Sequence, residues 1–167
     1  EAKLRLLTIP PQKQVLMAAF MRIEDAGNAV AEIIAKGVIP AGLEMMDQAV
    51  IQATENFCQP GYPTDAAAIL LCELDGHSEA LESDLNKVKQ ACLDNAATST
   101  QVAENEAEQA LLWKGRKAAF PAIGQLAPDY LCMDGTIPRK HLATVLGAIS
   151  QFSKEHGLAV ANVFHAG

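Results

Sequence analysis

The chain reads as short apolar runs alternating with amphipathic helices. The order is a β-type run, a helix with one apolar face, and a second β-type run, and three segments repeat it. In the first, Gln14 to Met21 predicts a strand. Asp25 or Asn28 can open a helix whose Ala26, Ala29, Val30 and Ile33 share a face, and Gly37 ends it. Val38 to Met46 predicts the next strand, and Asp47 the start of a short helix on which Ala49, Ala53 and Phe57 align.

Pro60, Gly61 and Pro63 break the chain between Gln59 and Asp65, ahead of the strongest strand candidate, Ala66 to Leu74. Ser78 then predicts an N-cap for a helix with Leu81, Leu85, Val88 and Cys92 at helical spacing, followed by a weaker strand at Thr98 to Val102. Good helix formers from Glu104 to Phe120 predict a further helix carrying Trp113 and Arg116, and Pro121, Gly124 and Pro128 an irregular loop. The third segment runs from a strand at Tyr130 to Met133, through Pro138 in a helix's first turn, to a helix bearing Leu142, Val145, Leu146, Ile149 and Phe152. Gly157 stops that helix, and Leu158 to Phe164 predicts the last strand. The connections are too short for large excursions. The expected architecture is therefore α+β, with ferredoxin-like βαβ repeats and an antiparallel or mixed sheet covered by helices on one face. No linker divides the chain, so residues 1–167 are expected to form a single domain.

Composition narrows the partners. The formal charge of -7 and the absence of a Lys/Arg cluster argue against nucleic acid, because the surface repels a phosphate backbone. The longest apolar runs, such as Ala66 to Cys72, fall well short of the ~20 residues that span a bilayer, so no transmembrane segment is expected. Cys58, Cys72, Cys92 and Cys132 are widely separated and form no CxxC pair. They read as buried thiols of a reducing, cytoplasmic compartment. Glu1 to Ile9 lacks the features of a signal peptide. The chain begins with Glu and ends directly after an apolar strand, which leads us to expect a fragment of a longer polypeptide.

The sequence has no GxGxxG loop, P-loop, GxSxG elbow or HExxH helix, so chemistry must come from isolated polar residues. Three stretches stand out: Trp113-Lys114-Gly115-Arg116, Asp134-Gly135-Thr136-Ile137-Pro138-Arg139, and His165-Ala166-Gly167 after an apolar strand. In order and rough spacing they resemble the WxxR helix, the D-G-x-x-P-R turn and the H-x-G-D-G-N-x-H strand end of the C-terminal, substrate-side domain of FAD-linked oxidases of the glycolate oxidase and D-lactate dehydrogenase type. Pro40-Ala41-Gly42-Leu43-Glu44-Met45-Met46-Asp47 resembles the same family's P-x-x-L-E-x-M-D segment, so the resemblance spans nearly the whole chain. The family's D-G-N-x-H continuation, with its second histidine, lies beyond Gly167.

By itself Arg116 reads as a solvated helix arginine. The resemblance implies a substrate-binding residue instead, whose guanidinium fork suits a carboxylate. His165, alone, reads as a partly buried histidine at a sheet rim. The resemblance makes it catalytic, either contacting the substrate hydroxyl or binding a divalent metal as in some members. Asp134 reads as structural, accepting backbone hydrogen bonds in its turn. Trp113 reads as packing, and Glu44, His77, His141, His156, Lys114 and Lys117 receive no role. The resemblance further implies FAD, held by a separate N-terminal domain of the same polypeptide, a small 2-hydroxy acid as substrate, and hydride transfer to the flavin. It also implies an iron-sulfur subunit as electron acceptor, with any membrane association made through partner subunits. The competing reading is a non-enzymatic ferredoxin-like module that binds a small metabolite or another subunit. A third is a relative acting on a larger hydroxy acid, an alkyl phosphate or an aldehyde precursor.

Overall fold

Six successive residues, Val15 to Phe20, are buried, a continuous apolar run rather than an alternating one. Such a strand lies between two covering layers. It is β1 (Gln12–Phe20), next to the centre of the sheet in a computed structural model that describes residues 1–6 and 8–166. The other strands are β2 (Gly42–Asp47), β3 (Ala68–Gly76), β4 (Ala97–Val102) and β5 (Val163–His165). They line up as β4-β1-β3-β2-β5, and every neighbouring pair is antiparallel. Helix α1 (Ile23–Ala35) links β1 to β2, and α3 (Ser78–Asp94) links β3 to β4. Each link skips over one intervening strand, and the 4-1-3-2 order that results is the expected ferredoxin-like arrangement. Helix α2 (Gln48–Cys58) is inserted between β2 and β3, and β5 extends the sheet beyond β2.

Both faces of the sheet are covered, which corrects the one-face expectation. Leu16, Ala18, Phe20, Leu70 and Cys72 pack with Val30 and Ile33 of α1, Val88 of α3 and Leu146 of α6 (Leu142–His156). On the reverse face, Met17, Met46, Ile69 and Leu71 pack with Val50 and Ile51 of α2 and Leu112 of α4 (Glu106–Lys117). Ala119 of α5 (Ala119–Ile123) joins them.

Several boundaries also move. The strand expected from Val38 starts only at Gly42, since Pro40 has no N–H for a ladder and Ile39 is exposed. Residues 130–133 form no strand: Leu131 is 84% exposed, with no second layer to bury it. The last strand is limited to Val163–His165 by the short β2 edge it pairs with. Helix α2 buries Val50, Ile51, Ala53 and Thr54, while Phe57 of the expected face is exposed. Helix α1 opens earlier than expected, at Ile23, and His77 rather than Ser78 holds the cap position of α3. The helix expected from Glu104 to Phe120 divides at Ala118. Asn105 caps α4 by accepting from the Glu108 N–H, while the Glu108 carboxylate accepts from the Glu104 N–H. Of the four cysteines only Cys72 and Cys92 are buried, Cys58 is half-buried and Cys132 exposed, correcting the expectation of buried thiols throughout. Among the described residues no helix is long and apolar enough to cross a membrane.

Candidate active site

Glu44 is the one charged residue within the buried run Leu43-Glu44-Met45-Met46 of β2. Strand alternation puts it on the same face as Met46, beneath α2 and α4. The β2/β5 register sets His165 directly opposite Glu44, so the two side chains project from one face. Helix α4 crosses that face and supplies Arg116. The three side chains meet: Arg116 donates to Glu44 Oε2 from Nε at 2.9 Å and from Nη2 at 2.8 Å, and His165 Nδ1 lies 2.7 Å from Oε1. The Arg116 and Glu44 side chains are 13% and 10% exposed, the His165 side chain 82%.

Neighbouring contacts hold this geometry. The Trp113 indole N–H donates to Glu73 Oε2 at 2.7 Å, pinning the middle of α4 to β3, and the Tyr62 hydroxyl donates to the Leu112 carbonyl. Between them Gly115 lets α4 settle on the 60–62 loop: a Cβ there would stand 2.5 Å from Tyr62 Oη and 2.6 Å from Pro60 Cγ. On the strand side, buried Asp47 accepts from the Val50 N–H at 3.1 Å and from both the backbone and side-chain N–H groups of Asn162, each at 2.8 Å. Burial pushes the Asp47 carboxyl above its ordinary range despite these bonds. The Ala166 N–H donates to the Leu43 carbonyl at 2.7 Å, and Arg139 Nε donates to the Ala166 carbonyl at 3.4 Å. The WxxR arginine thus reaches His165 through Glu44 and the P-R arginine bonds the adjacent Ala166, while Gly167 lies outside the described residues.

Asp134 is exposed and, among the described residues, makes no side-chain hydrogen bond, contrary to the turn-stabilising duty expected of it. His77, His141 and His156 are exposed. Burial pushes the Cys72 and Cys92 thiols up to about 12, which removes both as nucleophiles near neutral pH. A cleft of about 750 Å³ beside α4, lined by Lys13, Gly42, Glu73, Trp113 and Lys117 among others, includes neither Arg116 nor His165.

Residues 9–167 match the family model described as FAD linked oxidases, C-terminal domain. The chain belongs to this family. It is 52% identical to the glycolate oxidase subunit GlcD of Escherichia coli K12 over all of its own residues and 34% of that protein. The GlcD subunit of Bacillus subtilis is 35% identical over all of this chain and 36% of the relative. A D-lactate dehydrogenase of Anaerostipes hadrus is 28% identical over 99% of this chain and 37% of the relative. The chain therefore spans about a third of the length of the curated relatives it matches. A solved alkyldihydroxyacetonephosphate synthase shares the fold, with a TM-score of 0.66 at 16% identity over 89% of this chain and 32% of that one.

The residue that sequence reasoning missed is Glu44. Its signal was a carboxylate set among apolar residues in a run of buried positions, where a charge persists only with partners. The family is FAD-linked. His165 stands exposed on β5, an outer strand of the sheet, which leaves its ring accessible to a flavin. The residues present do not fit a divalent ion by themselves. Among the described residues no three His, Cys, Asp or Glu groups are placed to hold one, and both Glu44 oxygens are already engaged by Arg116 and His165.

Proposed function

We propose that residues 1–167 are the substrate-side domain of an FAD-dependent 2-hydroxy-acid dehydrogenase acting on glycolate or D-lactate, joined in the same polypeptide to a flavin-binding domain. The observation that carries this reading is the convergence of Arg116 and His165 on Glu44, from positions far apart in the chain.

A guanidinium has five N–H groups. Glu44 takes one from Nε and one from Nη2, which leaves the end-on pair of Nη1 and Nη2 for a second carboxylate. Arg116 holds the substrate carboxylate there. The hydroxyl of a 2-hydroxy acid sits on the adjacent carbon, within reach of a neighbouring base. His165 Nε2 accepts the hydroxyl proton as the carbonyl forms. The flavin, when bound, supplies the two-electron acceptor for the hydrogen on the same carbon, which no amino-acid side chain can provide. Electrons leave to a partner subunit of iron-sulfur type; that there is a partner is supported by the relatives' designation as glycolate oxidase subunits.

In the flavoenzyme that contains this domain, Arg116→Ala is expected to lower kcat/KM for glycolate and D-lactate by about 10- to 100-fold, the loss of a charge-assisted hydrogen-bonded pair worth ~1.5–3 kcal/mol. Lys117→Ala, on the same helix, is expected to leave it within about twofold. Equal efficiencies for Arg116→Ala and the parent enzyme would overturn the clamp.

A further inference from the structure

Building on that reading, we propose that Glu44 is a positioning residue that sets the His165 tautomer and fixes the spacing between His165 and Arg116. Both of its oxygens are engaged, Oε2 by two donors of Arg116 and Oε1 by His165 Nδ1. A carboxylate paired with a guanidinium is an acceptor only, so Nδ1 must donate to it. With the proton on Nδ1, the lone pair is on Nε2, the outward nitrogen of an imidazole whose side chain is 82% exposed. That is the tautomer a general base requires.

The same carboxylate solves a problem of reach. Arg116 belongs to α4, His165 to β5 and Glu44 to β2, and the two functional side chains would otherwise sample independent rotamers. Tied to opposite oxygens of one buried carboxylate, they are held at a constant separation. Glu44 also supplies the negative charge that balances the imidazolium formed when His165 takes the proton. A purely structural ion pair with Arg116 would require only Oε2.

The test has two arms. In the 167-residue chain, ring-nitrogen NMR at alkaline pH reads the neutral tautomer of His165. The Nδ1–H form is expected in the parent. In Glu44→Gln, Arg116 offers donors only and claims the amide oxygen. The amide NH2 then faces His165 and drives the ring to the Nε2–H form. A parent chain in the Nε2–H form, or an unchanged tautomer in Glu44→Gln, would overturn the proposal. If Glu44→Gln fails to fold because a buried guanidinium loses its counter-charge, Glu44→Met combined with Arg116→Met removes both charges. That pair is expected to lose the Nδ1–H preference, and its persistence would be equally damaging.

In the flavoenzyme, Glu44→Gln is expected to reduce kcat for glycolate by about 100-fold with KM changed less than about threefold, and Glu44→Asp to fall between it and the parent. Turnover by the parent with kcat in Glu44→Gln within about twofold would sink this proposal and leave the proposed function standing. No 2-hydroxy-acid turnover by the parent would sink the proposed function, while the tautomer still decides whether Glu44 sets His165.

Discussion

At the scale of single residues, the site depends on where small side chains let larger ones approach. Gly115 lies between Trp113 and Arg116 on α4, and the absence of a Cβ lets the helix rest against the Pro60 ring and the Tyr62 phenol. Neither neighbour is the free end of a flexible chain. Gly115→Ala would gain helix propensity of up to ~1 kcal/mol. The overlap at 2.5–2.6 Å outweighs it, because relief requires α4 to lift from the 60–62 loop. The expected net effect is a loss of about 1–3 kcal/mol in chemical denaturation, with Arg116 displaced from Glu44. A variant as stable as the parent would show that α4 is not held at this point.

At the scale of elements, β5 is a three-residue strand, too short to be secured by its ladder alone. Asp47 supplies the anchor by capping α2 and accepting two bonds from Asn162 just ahead of β5. Asp47→Asn keeps an oxygen for the Val50 N–H but turns an NH2 toward the Asn162 donors. A loss of about 1–3 kcal/mol is expected at pH 7. The pH dependence has a definite sign. Because burial raises the Asp47 carboxyl above its ordinary value of 3.8, the folded chain binds this proton more tightly than the unfolded chain. Ionisation at neutral pH therefore reduces stability, and the contribution of Asp47 grows as pH falls toward 3.8. Asp47→Asn lacks this term. The stability gap between parent and variant should widen from pH 7 to pH 4.5 in urea titrations. A narrowing gap would mean that the hydrogen bonds, not burial, dominate the titration.

At the scale of the whole molecule, helix α6 and the central strands differ in how firmly they are seated. Helix α6 contributes Leu142 and Leu146 as its only buried residues and packs mainly on α1, whereas β1 and β3 are buried between both layers. Native-state hydrogen exchange is expected to show α6 opening at least about tenfold more readily than the centres of β1 and β3. Equal protection in all three would indicate a single cooperative unit. Helix α6 and the exposed 128–138 segment precede β5, so early opening there would loosen the approach to His165 without unfolding the central strands.

Much of this organisation was written in local patterns. The continuous run around β1, the helical spacing of Leu81, Val88 and Cys92, and the order of the WxxR, P-R and terminal His stretches follow from nearest-neighbour chemistry and need no distant contact to be seen. They indicated most of the element types and the ferredoxin-like arrangement, and the motif order carried the resemblance to the family. Local pattern failed where burial depended on what lay opposite. Tyr130 to Met133 has strand-like composition but no covering layer, and Phe57 lies on the helix face that α2 turns away from the core. The meeting of Glu44, Arg116 and His165 belongs to the same class. Their positions in the chain are 72 and 121 residues from Glu44, a separation closed only by the β2/β5 register and the passage of α4 over β2. A buried carboxylate is stable only when its partners arrive, and which partners arrive is decided by strand order and helix placement, quantities that no local stretch of sequence contains.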